Sequence, residues 1–264
     1  MDVLESAILG AVQGLTEFLP VSSSGHLQLA KELMGVDIEE NLAFDVTLHA
    51  ATVLSTIVVL WSEIWWLVRG IFTRSMNDEK RYFIKLVISM LPIGFVGLLF
   101  KEEINTMLGS NYIMVVVGLM LLLTAALLTF AYYARPRQKS TISYRDAFII
   151  GLSQGVASMP GLSRSGTTIA TGLILGNEKA AVATFSFLMV LAPIMGETLL
   201  ELMDGGISLA GVSTSALVAG FLSAFIVGCL ACRFMINIVK RGKLIWFALY
   251  CAIVGMLAIG SYLI

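Results

Sequence analysis

Six uninterrupted apolar runs, at about 47–66, 84–100, 112–133, 181–200, 217–236 and 245–263, dominate this chain of 264 residues. Each approaches the ~20 residues that an α-helix needs to cross a bilayer. A transmembrane β-barrel would instead show segments of roughly ten residues alternating apolar and polar. The composition agrees: 58% of residues are hydrophobic and 13% charged, with a mean hydropathy of +0.89, against roughly 25% charged in soluble domains. A soluble enzyme, a disulfide-stapled secreted domain and a disordered segment are excluded, and an all-α integral membrane fold is expected. Basic and acidic side chains, 17 against 18, nearly cancel, so no field draws in nucleic acid. Asp2 and Glu5 stand where a signal peptide carries basic residues, and none is expected. Cys229, Cys232 and Cys251 fall in apolar stretches and read as packing residues, since one C-x-x-C pair cannot complete a zinc site.

Two further apolar regions, 3–34 and 144–176, are broken by Pro20 and Pro160 within clusters of Ser and Gly. Their halves are too short to cross, so each reads as a re-entrant helical hairpin. The two regions resemble one another. Gly10, Gln13 and Gly14 recur as Gly151, Gln154 and Gly155, an offset of 141, and Ser22, Ser24 and Gly25 recur at that offset as Ser163, Ser165 and Gly166. Glu5 against Asp146 and Phe44 against Phe185 keep the same spacing. The spacing implies a duplication, with repeats at 1–140 and 141–264 in one membrane domain.

Basic residues orient the repeats. Arg69, Arg74, Lys80, Arg81 and Lys85, then Arg135, Arg137, Lys139 and Arg145, then Arg233, Lys240, Arg241 and Lys243 mark cytoplasmic loops, whereas 101–111 and 201–216 carry only Lys101. Threading six spans through these loops puts both termini outside. The first hairpin then enters from outside and the second from the cytoplasm, so the repeat is inverted.

Such an architecture brings half-helix N-termini to mid-membrane, where free N–H groups and the positive dipole end suit an anion. Both second half-helices begin in hydroxyl-rich sequence, Ser22-Ser23-Ser24-Gly25-His26 and Ser163-Arg164-Ser165-Gly166-Thr167-Thr168. Taken alone, these hydroxyls are explained equally well by close packing and capping. Arg164 is different, because an ionisable group at that depth is costly and its forked donors suit a phosphate. Gln13 and Glu17 share one helix face, and His26 lies one turn into the next half-helix. Carboxylate, imidazole, hydroxyls and guanidinium together supply the parts for phosphoryl transfer. His49, with only Asp45 at helical spacing, reads as structural, and Glu197 and Glu201 as a solvated rim.

The segments QGLTEFLPVSSSGH at 13–26 and PGLSRSGTT at 160–168 resemble the two signature motifs of the bacterial undecaprenyl-diphosphate phosphatase, or bacitracin-resistance, family. The resemblance implies a multi-pass inner-membrane enzyme that hydrolyses undecaprenyl diphosphate to the monophosphate, recycling the lipid carrier for cell-wall synthesis. It implies catalytic roles for Glu17, His26 and Arg164, with Ser23, Ser163, Ser165 and Thr168 in or beside the diphosphate site; Ser23 is added as a candidate catalytic residue, and Gln13 and Ser22 as candidate substrate contacts. It also implies a divalent cation, Mg²⁺ or Ca²⁺, with Glu17 as the candidate ligand. Gln13 stands where many members carry Glu, which weakens a two-carboxylate metal site.

Attack on the terminal phosphorus falls to Ser23 or to water, with protons handled by Glu17 and His26 in roles that spacing leaves open. The alternative is a lipid-phosphate flippase using the same anion site; the Glu17 and His26 pair disfavours it, because binding an anion needs no buried acid and base. The partners expected are the lipid substrate and membrane lipids. Gly94-x-x-Gly97 would serve internal packing or a homodimer. Outside entry of the first hairpin favours an active site facing the periplasm or the outside.

Overall fold

The computed structural model describes residues 1–36, 42–100, 106–107, 112–134, 139, 141–196 and 213–263. Within these the chain forms helices α1 (Val3–Phe18), α2 (Ser23–Met34), α3 (Leu42–Val59), α4 (Trp61–Ile71), α5 (Asp78–Leu99) and α6 (Ile113–Tyr133). They are followed by α7 (Tyr144–Val156), α8 (Arg164–Ile174), α9 (Lys179–Met189), α10 (Thr214–Arg241) and α11 (Ile245–Leu263). Local chemistry sets several ends. Asp2 and Glu5 form a capping box on α1, and Asn77, Ser143 and Ser213 accept backbone N–H bonds at the starts of α5, α7 and α10.

The all-α membrane class is borne out. Among the described residues four helices are long and apolar enough to cross a membrane, and a fifth crossing results if α3 and α4 count as one bent span. The apolar run at 47–66 does not form one straight span. It breaks at Leu60, and the two helices diverge by 77°. The cause lies in α4 itself: Glu63 and Arg69 interrupt the apolar sequence, Trp61, Trp65 and Trp66 are exposed, and the Arg69 guanidinium lies 4.7 Å over the Trp65 ring. Such a segment suits a membrane–water boundary better than a hydrocarbon core. Most of the two loops expected outside, together with Glu197, Glu201, Arg135 and Arg137, lies outside the described residues.

Each helix–break–helix unit rests on a long helix from the other half of the chain. A Cβ on Gly10 would land on the carbonyl oxygen of Gly220, so α1 seats directly on the α10 backbone. Ser223 Oγ reinforces this contact by donating to the Ala7 carbonyl at 2.7 Å. A Cβ on Gly151 would likewise land on the Ser89 carbonyl, which seats α7 on α5. Helices α6 and α11 cross where Gly118 and Gly255 face each other's backbone carbonyls. Phe18, edge-on to Phe187 at 5.8 Å, lies in the core joining the two halves. Gly94 and Gly97 have open space where a Cβ would stand and make no close internal contact.

Gly10→Ala must push α1 off α10 and is expected to cost about 1–3 kcal/mol. Gly94→Ala should leave stability unchanged or raise it by up to about 1 kcal/mol. Thermal unfolding of the two variants in detergent distinguishes these outcomes.

Candidate active site

Pro20 and Pro160 stop α1 and α7 because a ring nitrogen cannot donate to the helix ladder. The residue before a proline is pushed to extended backbone, and Leu19 adopts φ −72°, ψ 144°. The chain then turns through Ser22, the sole non-glycine residue with positive φ (71°) among the described residues. That conformation costs on the order of 1–3 kcal/mol. It aims the Ser22 carbonyl at His26, which donates from its backbone N–H at 3.3 Å and from its ring Nδ1 at 2.9 Å. No side chain caps the start of α2, leaving its first N–H groups for a ligand.

The second break turns at Gly161, with φ 87°, where a Cβ would stand 2.6 Å from the Val117 Cα of α6. Only glycine satisfies both demands. Ser163 then caps α8, accepting the Gly166 N–H at 3.1 Å, while its own N–H donates to Thr124 Oγ1 at 3.3 Å.

The two breaks meet. Ser165 Oγ donates to the Leu19 carbonyl at 3.3 Å, and Gly166 allows Pro20 so close that an added Cβ would stand 3.0 Å from it. Arg164 reaches Glu17 across this junction, 3.7 Å from Nη2 to Oε1. Both side chains are largely withdrawn from the surface, 18% and 6% exposed. Gln13 Nε2 donates to the other Glu17 oxygen at 3.0 Å, and Ser23 lies near enough to bear on the carboxylate electrostatically. One carboxylate is therefore held by a guanidinium and an amide, drawn from both motifs, with a hydroxyl beside it. Gln13 Oε1, buried beside it, has no hydrogen-bond partner.

The structure thus joins Gln13, Glu17 and Arg164 directly, places Ser23 near Glu17, and ties Ser165 in through the Leu19 carbonyl. Ser22 and Ser24 stand with their hydroxyl oxygens 3.4 Å apart, as do Ser163 and Ser165. Thr168 is buried and turns inward, donating to the Arg164 carbonyl of its own helix at 3.0 Å. His26 makes its ring hydrogen bonds to the Ser22 carbonyl and, at 2.7 Å, to the Tyr250 hydroxyl of α11. Glu17 and Arg164 are not among those partners.

Two residues near the site escape a sequence reading. Tyr250 stacks on the His26 ring with centroids 5.6 Å apart, and its position 224 residues away leaves no local signal. His49 bonds the Asp45 carbonyl through Nδ1 at 3.0 Å, as a structural histidine would, yet it also lies within electrostatic range of Glu17. The cysteines are free; Cys232 and Cys251 are buried in the core, and the Cys251 thiol donates to the Pro20 carbonyl at 3.3 Å.

Among the described residues no group of three or more His, Cys, Asp and Glu side chains converges to hold a metal ion. Glu17 is a single carboxylate already engaged by Arg164 and Gln13. The donor set does not fit a divalent ion held by the protein alone.

A family model described as bacitracin resistance protein BacA matches residues 6–257. Similar curated proteins, each named undecaprenyl-diphosphatase, include one from Bacteroides fragilis strain YCH46, 60% identical over 98% of both chains. Another, from Parabacteroides distasonis, is 58% identical over the whole of both chains. A more distant one, from Halothermothrix orenii, is 36% identical over 98% of both. On a match that runs almost from end to end, the chain belongs to the BacA bacitracin-resistance family.

Proposed function

We propose that this protein hydrolyses undecaprenyl diphosphate to undecaprenyl phosphate and inorganic phosphate at the junction of its two helix breaks. The activity is the one by which its full-length relatives are named. The observation that carries the assignment to this junction is the ion pair of Glu17 with Arg164, because it brings an acceptor of protons from the first motif, with Ser23 close by, to an anion ligand from the second. Recycling of the lipid carrier for cell-wall synthesis, and with it resistance to bacitracin, follows from that activity. A flippase draws no support from the relatives' names.

The substrate's terminal phosphate binds at the uncapped start of α2, with Arg164 turning part of its fork from Glu17 to the phosphate oxygens. Ser22, Ser163 and Ser165 supply further hydroxyl donors. Ser23 Oγ attacks the terminal phosphorus as its proton passes to Glu17, and the bond from phosphorus to the bridging oxygen breaks to release the lipid monophosphate. Water then cleaves the phosphoserine with His26 as general base, restoring Ser23 and freeing phosphate. A groove of about 630 Å³, lined by Leu91, Phe95, Phe148 and Leu152 and ending at Ser158 and Met159 of the second break, suits the first isoprene units. A divalent ion would be held mainly by the diphosphate oxygens, where it would offset their charge, with Glu17 and Gln13 Oε1 as the candidate protein acceptors.

In this reading the chain crosses the inner membrane six times, with the two broken units as re-entrant hairpins of an inverted repeat. The seating of α1 on α10 and of α7 on α5 supports that arrangement. The positions of lysine and arginine open the site toward the periplasm.

Purified protein is expected to release phosphate from an isoprenyl diphosphate in detergent, and Arg164→Ala and Ser23→Ala should each lower kcat/KM by at least about 10³-fold. Ser23→Ala activity within about tenfold of the parent would instead assign the attack to water. Gln13→Glu places a second carboxylate beside Glu17, and binding of Mn²⁺ without substrate should become measurable by paramagnetic titration. Equal binding by the parent protein would refute a metal carried by the substrate.

A further inference from the structure

The ring of His26 has two nitrogens, and both are committed. Nδ1 faces the Ser22 carbonyl at 2.9 Å, and a carbonyl only accepts, so Nδ1 carries the proton. In the neutral ring the one lone pair that can take a further proton is on Nε2. That nitrogen lies 2.7 Å from the Tyr250 hydroxyl, which must donate to it. The near-parallel stack of the two rings, 22° between planes, makes this hydrogen bond part of a fixed packing arrangement. The next residue, Cys251, is tied to the Pro20 carbonyl, so α11 grips the first break at two successive positions.

We infer that Tyr250 is a further catalytic residue of the phosphatase reaction, holding His26 in its Nδ1-protonated form and carrying to Nε2 the proton that the attacking water gives up. In the step that restores Ser23, the attacking water gives its proton to the Tyr250 oxygen as the Tyr250 proton moves to Nε2. The water's O–H bond breaks, a new O–P bond forms, and the phosphoserine O–P bond breaks with its electron pair going to Ser23 Oγ, which takes back the proton that Glu17 accepted in the first step. The inference rests on the activity proposed above and on His26 serving as its base, and it adds a residue from the last helix that neither signature motif contains.

Tyr250→Phe keeps the ring and removes only the hydroxyl. Its kcat is expected to fall at least about tenfold with KM within about twofold of the parent. The chain has two histidines, so ¹⁵N-histidine spectra can be assigned with a His49→Gln control. They should report the Nδ1-protonated ring for His26 in the parent, and loss of the hydrogen-bonded Nε2 signal in Tyr250→Phe. Parental kcat in a folded Tyr250→Phe, or an Nε2-protonated His26 in the parent, overturns the inference. Absence of phosphate release by the parent protein overturns the proposed activity instead, since the histidine spectra do not depend on turnover.

Discussion

In the proposed re-entrant arrangement both helix breaks lie within the membrane, where freed backbone groups have no water to turn to and each one left unsatisfied costs several kcal/mol. This constraint organises the molecule. The Leu19 carbonyl, released where α1 ends, is shared by the Val21 N–H at 2.8 Å and by Ser165 of the other break, and the Pro20 carbonyl is taken up by Cys251 of the last helix. Both breaks draw partners from outside their own turns, and Ser165 is the residue through which they meet. Their meeting brings Arg164 to Glu17. The ion pair is then a consequence of the same accounting, since each charge would be prohibitively costly at this depth without the other.

Close approach is the second requirement, and glycine meets it. Hydrogen bonds of about 3 Å between side chains and backbones of different helices need axes closer than large residues permit. Gly10 on the Gly220 carbonyl and Gly151 on the Ser89 carbonyl bring each broken unit onto its supporting helix. Gly161 lets the second break pass against Val117, and Gly166 lets it touch Pro20. The site's precision is thereby carried by residues that take no part in the chemistry.

What could be read from the sequence was what is local or repeated. The proline breaks, the half-helices either side of them and the pairing of Gln13 with Glu17 follow from spacing and helical period. Arg164 could be singled out because a charge in an apolar region needs a reason. The 77° bend at Leu60 was not legible, because a hydropathy run does not register that a tryptophan-rich turn prefers the boundary. His49 bonds the Asp45 carbonyl at helical spacing, while its electrostatic relation to Glu17 runs between helices and leaves no mark on the local sequence. Tyr250 had no signal at all, since a tyrosine in an apolar span is ordinary until the fold sets it on His26.

The two Ser-x-Ser-Gly segments, alike in sequence, differ in a way that explains how work is divided between them. In each, the first and third positions stand with hydroxyl oxygens 3.4 Å apart. Ser163 nonetheless keeps ordinary extended backbone and caps its helix through Gly166, whereas Ser22 is held at positive φ and caps nothing. The first copy therefore stores strain and leaves helix N–H groups open, while the second closes its helix start and projects a guanidinium. An open anion seat and a charge that reaches it cannot both be built on one fully capped turn. Two copies of the same motif, one relaxed and one strained, supply them separately and deliver them to a single carboxylate.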